Sequence, residues 1–202
     1  MLNKYNETLA NLNNLTLFEI QKAYMQIVGQ INEHGGVLVP ADYFRFTKTE
    51  IAEFFTAYVK NDKLEMLDAL CDIVVCALGW LITVGARYHK EDKSGMGFWS
   101  ESSWVREIIT FSIEQFCSSD KIHKLIYCVY LFGERNFGRY TEDFDKALLE
   151  VFRNNFARLQ FDENGNVLKQ PEFLADGSKN PDAGKVVKKP NLNPDLKQFL
   201  TR

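Results

Sequence analysis

The feature that most constrains the fold is a stretch from Leu67 to Val84 in which nearly every side chain is apolar. A helix that is apolar on all sides is normally buried on all sides. Its longest apolar run, Ile73 to Val84, has 12 residues, which is fewer than the roughly 20 that a membrane span requires. We therefore expect a buried central helix, and the 46% of apolar residues in this chain of 202 can supply one sizeable core.

Apolar periodicity predicts further helices around this one. We expect helices at 16–33, from Thr47 to about Lys60, from Asp62 to Gly85 or Tyr88, from Glu101 to Phe116, from Lys121 to Phe132, and from Thr141 onward. Thr47 and Asp62 each precede a glutamate by three residues, as the first residue of a capping box does, and Val37–Pro40 is expected to be extended or a turn. No segment alternates convincingly enough to predict a strand.

Proline marks the end of the helical body, since one of the five prolines, Pro40, lies in the first 170 residues and the other four lie in the last 32. We predict an all-α helical bundle over residues 1–158, with residues 90–136 as an inserted helical pair, and an irregular tail over residues 159–202. This is the arrangement of a helical bundle domain with a loop-rich appendage.

Charge and cysteine content exclude several classes of protein. With 24 basic and 27 acidic side chains the formal charge is -3, which argues against binding to nucleic acid or to a membrane surface through bulk positive charge. The four cysteines have no CxxC spacing, so a disulfide scaffold and structural zinc are poor interpretations. The sequence shows no cleavable apolar leader, and we expect a cytoplasmic protein.

Two carboxylates, Asp68 and Asp72, lie one turn apart at the start of the apolar helix. A buried ionised carboxylate must pair with a cation, bind a metal or become neutral, because removing it from water is strongly unfavourable. Neither lysine nor arginine lies within reach along that helix. Capping does not account for either residue, which favours a metal-binding role.

The preceding helix offers matching carboxylates, Glu50 and Glu53, on one face. If the two helices form an antiparallel hairpin that turns near Asn61, Glu53 lies eight residues before the turn and Asp68 seven after it, while Glu50 and Asp72 each lie eleven away. At about 1.5 Å per residue, the two pairs come level. The sequence therefore predicts an acidic cluster of four carboxylates.

Oxygen ligands of this kind suit Mg²⁺, or Mn²⁺, better than zinc or copper. Magnesium commonly bridges carboxylates to substrate phosphates, so the cluster points to metal-assisted hydrolysis of a phosphate substrate. The simpler alternative is that Glu50 and Glu65 occupy capping positions and that the ExxE pattern of Glu50 and Glu53 is only a solvated helix face. For Glu65 we prefer the cap, although its participation in the site stays open.

These residues resemble the all-α nucleoside triphosphate pyrophosphohydrolases, the MazG-like and phosphoribosyl-ATP pyrophosphohydrolase-like superfamily, with phage-type members the most similar. The resemblance is carried by four segments: TEIAE at 49–53, DALCDIVVCALG at 68–79, VFRNNFAR at 151–158, and AGKVVKKPN with PDL at 183–191 and 194–196. The chain departs from the family pattern at three positions. Thr49 stands where the family often has a glutamate, and Arg158 replaces a lysine. Ala69 stands where the family has a glutamate, so Asp68, one residue earlier, would have to substitute for it.

The resemblance implies a MazG-like core and Mg²⁺-dependent hydrolysis of a (deoxy)nucleoside triphosphate to the monophosphate and pyrophosphate. It implies that Glu50, Glu53 and Asp72 hold metal, with Asp68 completing the set, and that Glu50 or Glu53 acts in catalysis. It further implies a homodimer or higher homo-oligomer in a bacterial or phage-infected cytoplasm. Residues expected to contact the substrate are Asn155, Arg158, Lys185 and Lys188, and the loop-rich tail over residues 159–202 is expected to cover the substrate.

Two other functions remain open from the sequence. One is a helical interaction protein that kept the fold after losing catalysis, since two acidic positions of the family pattern have changed. The other is a nucleotide-binding regulator without turnover.

Overall fold

The computed structural model describes residues 2–32, 35–36, 40–88, 100–138, 142–180 and 185–200. Within these residues the chain is all-α, as predicted, with one β-ladder of two residues per strand. The α-helices are α1 (Leu2–Asn11), α2 (Leu17–Ile27), α3 (Pro40–Lys60), α4 (Lys63–Thr83), α5 (Glu101–Ile113), α6 (Ser119–Asn136) and α7 (Asp143–Ala157).

The apolar helix α4 is the centre of the fold. It packs against α2, α3, α6 and α7, and Leu70, Ile73 and Val74 are fully buried in it. By length and composition α4 could cross a membrane, but 67% of its apolar window is buried inside the structure. The predicted buried helix is thereby confirmed, and it is longer than the apolar run alone suggested.

Helices α3 and α4 form the predicted antiparallel hairpin. Asn61 makes the turn with a φ of 54°, a left-handed conformation that asparagine tolerates better than most residues. Asp62 then caps α4, because its Oδ1 accepts the Glu65 N–H at 3.2 Å. The extensive packing between α3 and α4 fixes which residues of the two helices lie level.

The predicted start of α3 at Thr47 was wrong. The helix begins at Pro40, where the fixed φ of proline favours a first helical position. Thr47 is fully buried inside the helix, and its hydroxyl donates to the Tyr43 carbonyl at 2.8 Å instead of capping. Residues 37–39 of the expected extended segment lie outside the described residues.

The N-terminal region differs from the prediction in four ways. Helix α1 was not predicted, and α2 is shorter than 16–33 because Gly29 turns the chain with a φ of 70°. The capping box in this region is at Thr16, whose Oγ1 accepts the Glu19 N–H while the Glu19 carboxylate accepts the Thr16 N–H. The residues after α2 form a short ladder, with Ile31 opposite Gly36.

The three later helices exist where they were predicted, with shifted ends. Helix α5 ends at Ile113, before the predicted Phe116, and α6 runs past Phe132 to Asn136. Helix α7 begins at Asp143, and the predicted start at Thr141 lies outside the described residues.

The tail after α7 crosses back over the bundle without forming an α-helix in its described part. Isolated bridges pair Leu159 with Lys188 and Lys169 with Val186. The Lys189 N–H also donates to the Arg158 carbonyl at 2.8 Å. Tail residues are thus held beside the end of α7. The proposed division into residues 1–158, 90–136 and 159–202 stays a prediction.

Gly79 in α4 allows the ring of Tyr43 in α3 to pack directly on the helix backbone. A Cβ at position 79 would overlap the Tyr43 ring. We predict that Gly79→Ala lowers the free energy of unfolding by about 1–3 kcal/mol through overpacking, although alanine has the higher helix propensity. Urea unfolding with Tyr43→Ala and the double variant checks this. The two effects should be less than additive, and full additivity would contradict the contact.

Candidate functional site

Glu50 on α3 lies among the other three predicted carboxylates. Its pKa is raised to about 8, mainly by burial. The negative charges of Asp72, Glu53 and Asp68 add to this rise. An interaction of this kind requires the groups to lie close together in a region of reduced solvation. The α3–α4 hairpin therefore places Glu50 within electrostatic reach of the other three carboxylates that the sequence singled out.

The two aspartates on α4 show the same effect. Burial raises the pKa of Asp72 to about 7, and the charges of Asp68 and Glu53 add to the rise. The pKa of Asp68 is also raised, first by burial and then by Glu65 and Glu53. At neutral pH the cluster thus holds more protons than four separate carboxylates would hold.

Two cations from outside the hairpin partly offset this negative charge. Lys188 and Arg158 both lower the pKa of Asp72, and Lys188 also lowers that of Glu50. The pKa of Lys188 is itself lowered by loss of solvent and by the positive charge of Arg158. The tail and the end of α7 therefore bring cations within electrostatic reach of the acidic cluster.

A cavity of about 300 Å³ lies between α4, α7 and the tail. Asp68 and Asp72 line it from α4, and Asn155 and Arg158 line it from α7. The Nε atom of Arg158 is buried and has no hydrogen-bond partner among the described residues. A guanidinium N–H in that position is a suitable donor to an anionic oxygen. The cavity thus combines carboxylates with a cation that can receive an anion.

Not every predicted site residue reaches this cavity. In the described part of the chain, its lining does not include Glu50, Glu53, Lys185 or Lys188. Glu50, Glu53 and Lys188 are connected to it through their charge interactions with Asp72. Lys185 is exposed, and its carbonyl accepts the Gln170 N–H at 2.7 Å.

Glu65 lies beside the cavity as well as at the start of α4. Its N–H is capped by Asp62, as predicted. Its side chain is exposed and also lines the cavity, and its charge raises the pKa of Asp68. Only half of the predicted capping box forms, because the Asp62 N–H donates to the Ala57 carbonyl at 2.9 Å and not to the Glu65 carboxylate; a role of Glu65 in the site stays a prediction.

Sequence reasoning missed three residues at the site. Asn154 and Asn193 line the cavity, and Tyr24 packs edge-on against the Phe156 ring with 5.4 Å between centroids. Burial raises the pKa of Tyr24 to about 12, with Arg158 opposing the rise. The adjacent pair of asparagines in α7 could have indicated Asn154. Tyr24 shows no signal in the sequence beyond its helical periodicity.

The chemistry of the donor set fits a divalent cation. Oxygen-only ligands that raise one another's pKa are stabilised by a bound positive charge. Among the described residues, however, no three Asp, Glu, His or Cys side chains are arranged so that they could hold a metal ion as they stand. The carboxylates form a site of mutual repulsion without a preformed coordination cage.

Comparisons with known proteins identify no relative: no protein-family model, curated protein or solved structure matches the chain significantly. Any functional conclusion therefore depends on the residues of the site.

The raised pKa values predict an unusual dependence of stability on pH. Because the pKa of Glu50 in the folded protein is about 8, against an ordinary 4.5, the folded state keeps a proton that the unfolded chain releases. Its stabilising contribution is complete below about pH 4.5 and is lost as the pH rises through 8. We predict that Glu50→Gln stabilises the metal-free protein at about pH 8.5 by about 1–3 kcal/mol.

Urea unfolding in EDTA between pH 5 and 8.5 measures this effect. Glu163→Gln removes an exposed tail carboxylate and serves as the matched control, which should follow the wild type. If Glu50→Gln lowers stability at pH 8.5, the proposed repulsion within the cluster is wrong.

Proposed function

We propose that this chain is a Mg²⁺-dependent hydrolase that cleaves a (deoxy)nucleoside triphosphate into the monophosphate and pyrophosphate. The observation that carries the proposal is the position of Asp68 and Asp72, which share a cavity with Asn155 and Arg158 and interact electrostatically with Glu53. Carboxylates beside cations suit a substrate that arrives as a complex of metal and phosphate.

Glu50, Glu53, Asp68 and Asp72 would hold Mg²⁺, with Mn²⁺ as a substitute. Bound Mg²⁺ would supply neutralisation of phosphate charge and activation of water. Glu50 has the highest of the resolved carboxyl pKa values in the cluster. This value applies to the metal-free protein, and bound Mg²⁺ would lower the pKa of Glu50 and favour its carboxylate form. We assign Glu50, with Glu53 beside it, to the catalytic step.

The cations and amides would bind the nucleotide. Arg158 lines the cavity and has a buried Nε without a hydrogen-bond partner among the described residues, and Asn155 offers both a donor and an acceptor. Lys188 would move from neutralising carboxylates to contacting a phosphate once a metal is present. The proposed substrate-binding role of Lys185 is supported by the family resemblance alone, because Lys185 is not among the described residues that line the cavity.

We also propose that the chain is a phage-type member of the MazG-like superfamily, acting as a homodimer or higher homo-oligomer in the cytoplasm of a bacterium or a phage-infected host. The pattern of residues at 49–53, 68–79 and 151–158 supports this. No role for nucleic acid or for a membrane is proposed.

One observation favours a second candidate function. Because the described carboxylates lack a preassembled metal arrangement, a nucleotide-binding or interaction protein with the same fold but without turnover is the alternative. This alternative keeps Arg158 and Asn155 as binding residues and removes the catalytic role of Glu50 and Glu53.

Incubation of the pure protein with each dNTP and Mg²⁺, followed by measurement of pyrophosphate, tests the proposal. We predict release of pyrophosphate from at least one nucleotide, and a loss in kcat of about a hundredfold or more in Glu53→Gln and in Asp72→Asn. EDTA should abolish turnover. Absence of pyrophosphate from every nucleotide would contradict the hydrolase.

Variants at position 158 provide a matched pair within the same assay. Arg158→Lys keeps the positive charge and should retain part of the activity, whereas Arg158→Ala should raise KM strongly. Nucleotide binding by calorimetry without any turnover would establish the second candidate in place of the first.

A further inference from the structure

The third wall of the cavity is formed by the tail. Asn193, Pro194 and Leu196 line the cavity together with Asp68 and Asp72. We call residues 189–196 the strap. None of the substrate contacts proposed above lies in it, although it borders the space in which the nucleotide would bind.

The strap is held firmly at both ends. At its start, the Lys189 N–H donates to the Arg158 carbonyl at 2.8 Å. At its end, Leu196 is 2% exposed and Phe199 is 8% exposed. The Phe199 carbonyl also accepts the Gly138 N–H at 2.7 Å. These contacts fix where the strap passes over the cavity.

The middle of the strap has no such anchors. Residues 190–193 are exposed and, within the described chain, make no hydrogen bond to the helices. Pro190 and Asn191 change the chain direction, with a φ of 61° at Asn191. A segment with few buried contacts between two fixed ends can move locally without unfolding of the bundle.

We propose that the strap completes the nucleotide site and that the Asn193 carboxamide contacts the sugar or phosphate of the bound nucleotide. A carboxamide supplies two donor hydrogens and an acceptor, and the Asn193 side chain has no hydrogen-bond partner in the described chain. The nucleotide then bridges the strap to α4 and α7 and holds the strap in place. This inference rests on the proposed function.

Kinetics and amide hydrogen exchange test the inference together. Asn193→Ala should raise KM about five- to tenfold, as expected for one lost hydrogen bond, with little change in kcat. Asn164→Ala removes an exposed asparagine from the tail and should behave as the wild type. Addition of Mg²⁺ and a non-hydrolysable α,β-imido dNTP should slow exchange in peptides spanning residues 189–196, and less so in Asn193→Ala.

The results separate the two proposals. If the wild type hydrolyses nucleotide but exchange in the strap is unchanged by the analogue, the strap proposal is wrong and the hydrolase stands. A wild-type KM in the Asn193→Ala variant would likewise contradict the strap proposal and leave the hydrolase proposal intact. If no nucleotide is hydrolysed and the analogue protects no part of the chain, the proposed function fails and the strap proposal fails with it.

Discussion

Repulsion that involves the partly buried carboxylates Glu50, Asp68 and Asp72 is the interaction on which the proposed site depends. Burial and neighbouring negative charges together raise the pKa of Glu50 to about 8 and that of Asp72 to about 7. A fold selected for stability alone would place such groups apart or in water. Asp72 lines the cavity and interacts electrostatically with Glu50, and perturbed carboxyl groups in a cleft are a physical marker of functional sites, which supports the proposed binding of a ligand there.

The surrounding fold makes this arrangement possible because its stability comes from elsewhere. Helix α4 contributes a continuous apolar surface to α2, α3, α6 and α7, and Gly79 lets α3 approach closely at Tyr43. This packing fixes the position of α3 along the axis of α4. Glu50 and Asp72 therefore cannot separate without loss of core contacts. The cations Arg158 and Lys188 come from the opposite end of the sequence and reduce the repulsion without removing it.

The sequence predicted most of this arrangement where one local signal was enough. Asn61 and Asp62 correctly predicted the turn and the cap of α4. The equal spacing of Glu50 and Asp72 from that turn predicted that the two residues lie level. The start of α3 was missed because a proline after two glycines suggests a loop as readily as a first helical turn. Positions that depend on contacts between distant parts of the chain were harder to predict: Tyr24 packs against Phe156 from another helix, and Asn193 reaches the cavity only through the path of the tail. The comparisons add no family assignment, so the resemblance stays a proposal.

The most direct test of the central claim is the titration of individual side-chain carboxyl groups by carbon-detected NMR in the metal-free protein. With assignments from Glu50→Gln and Asp72→Asn, we predict that one glutamate titrates near pH 8 and one aspartate near pH 7. Both should shift to lower pH when Mg²⁺ is added. If both groups titrate near their ordinary values, and Mg²⁺ has no effect on them, the carboxylates do not form a common site.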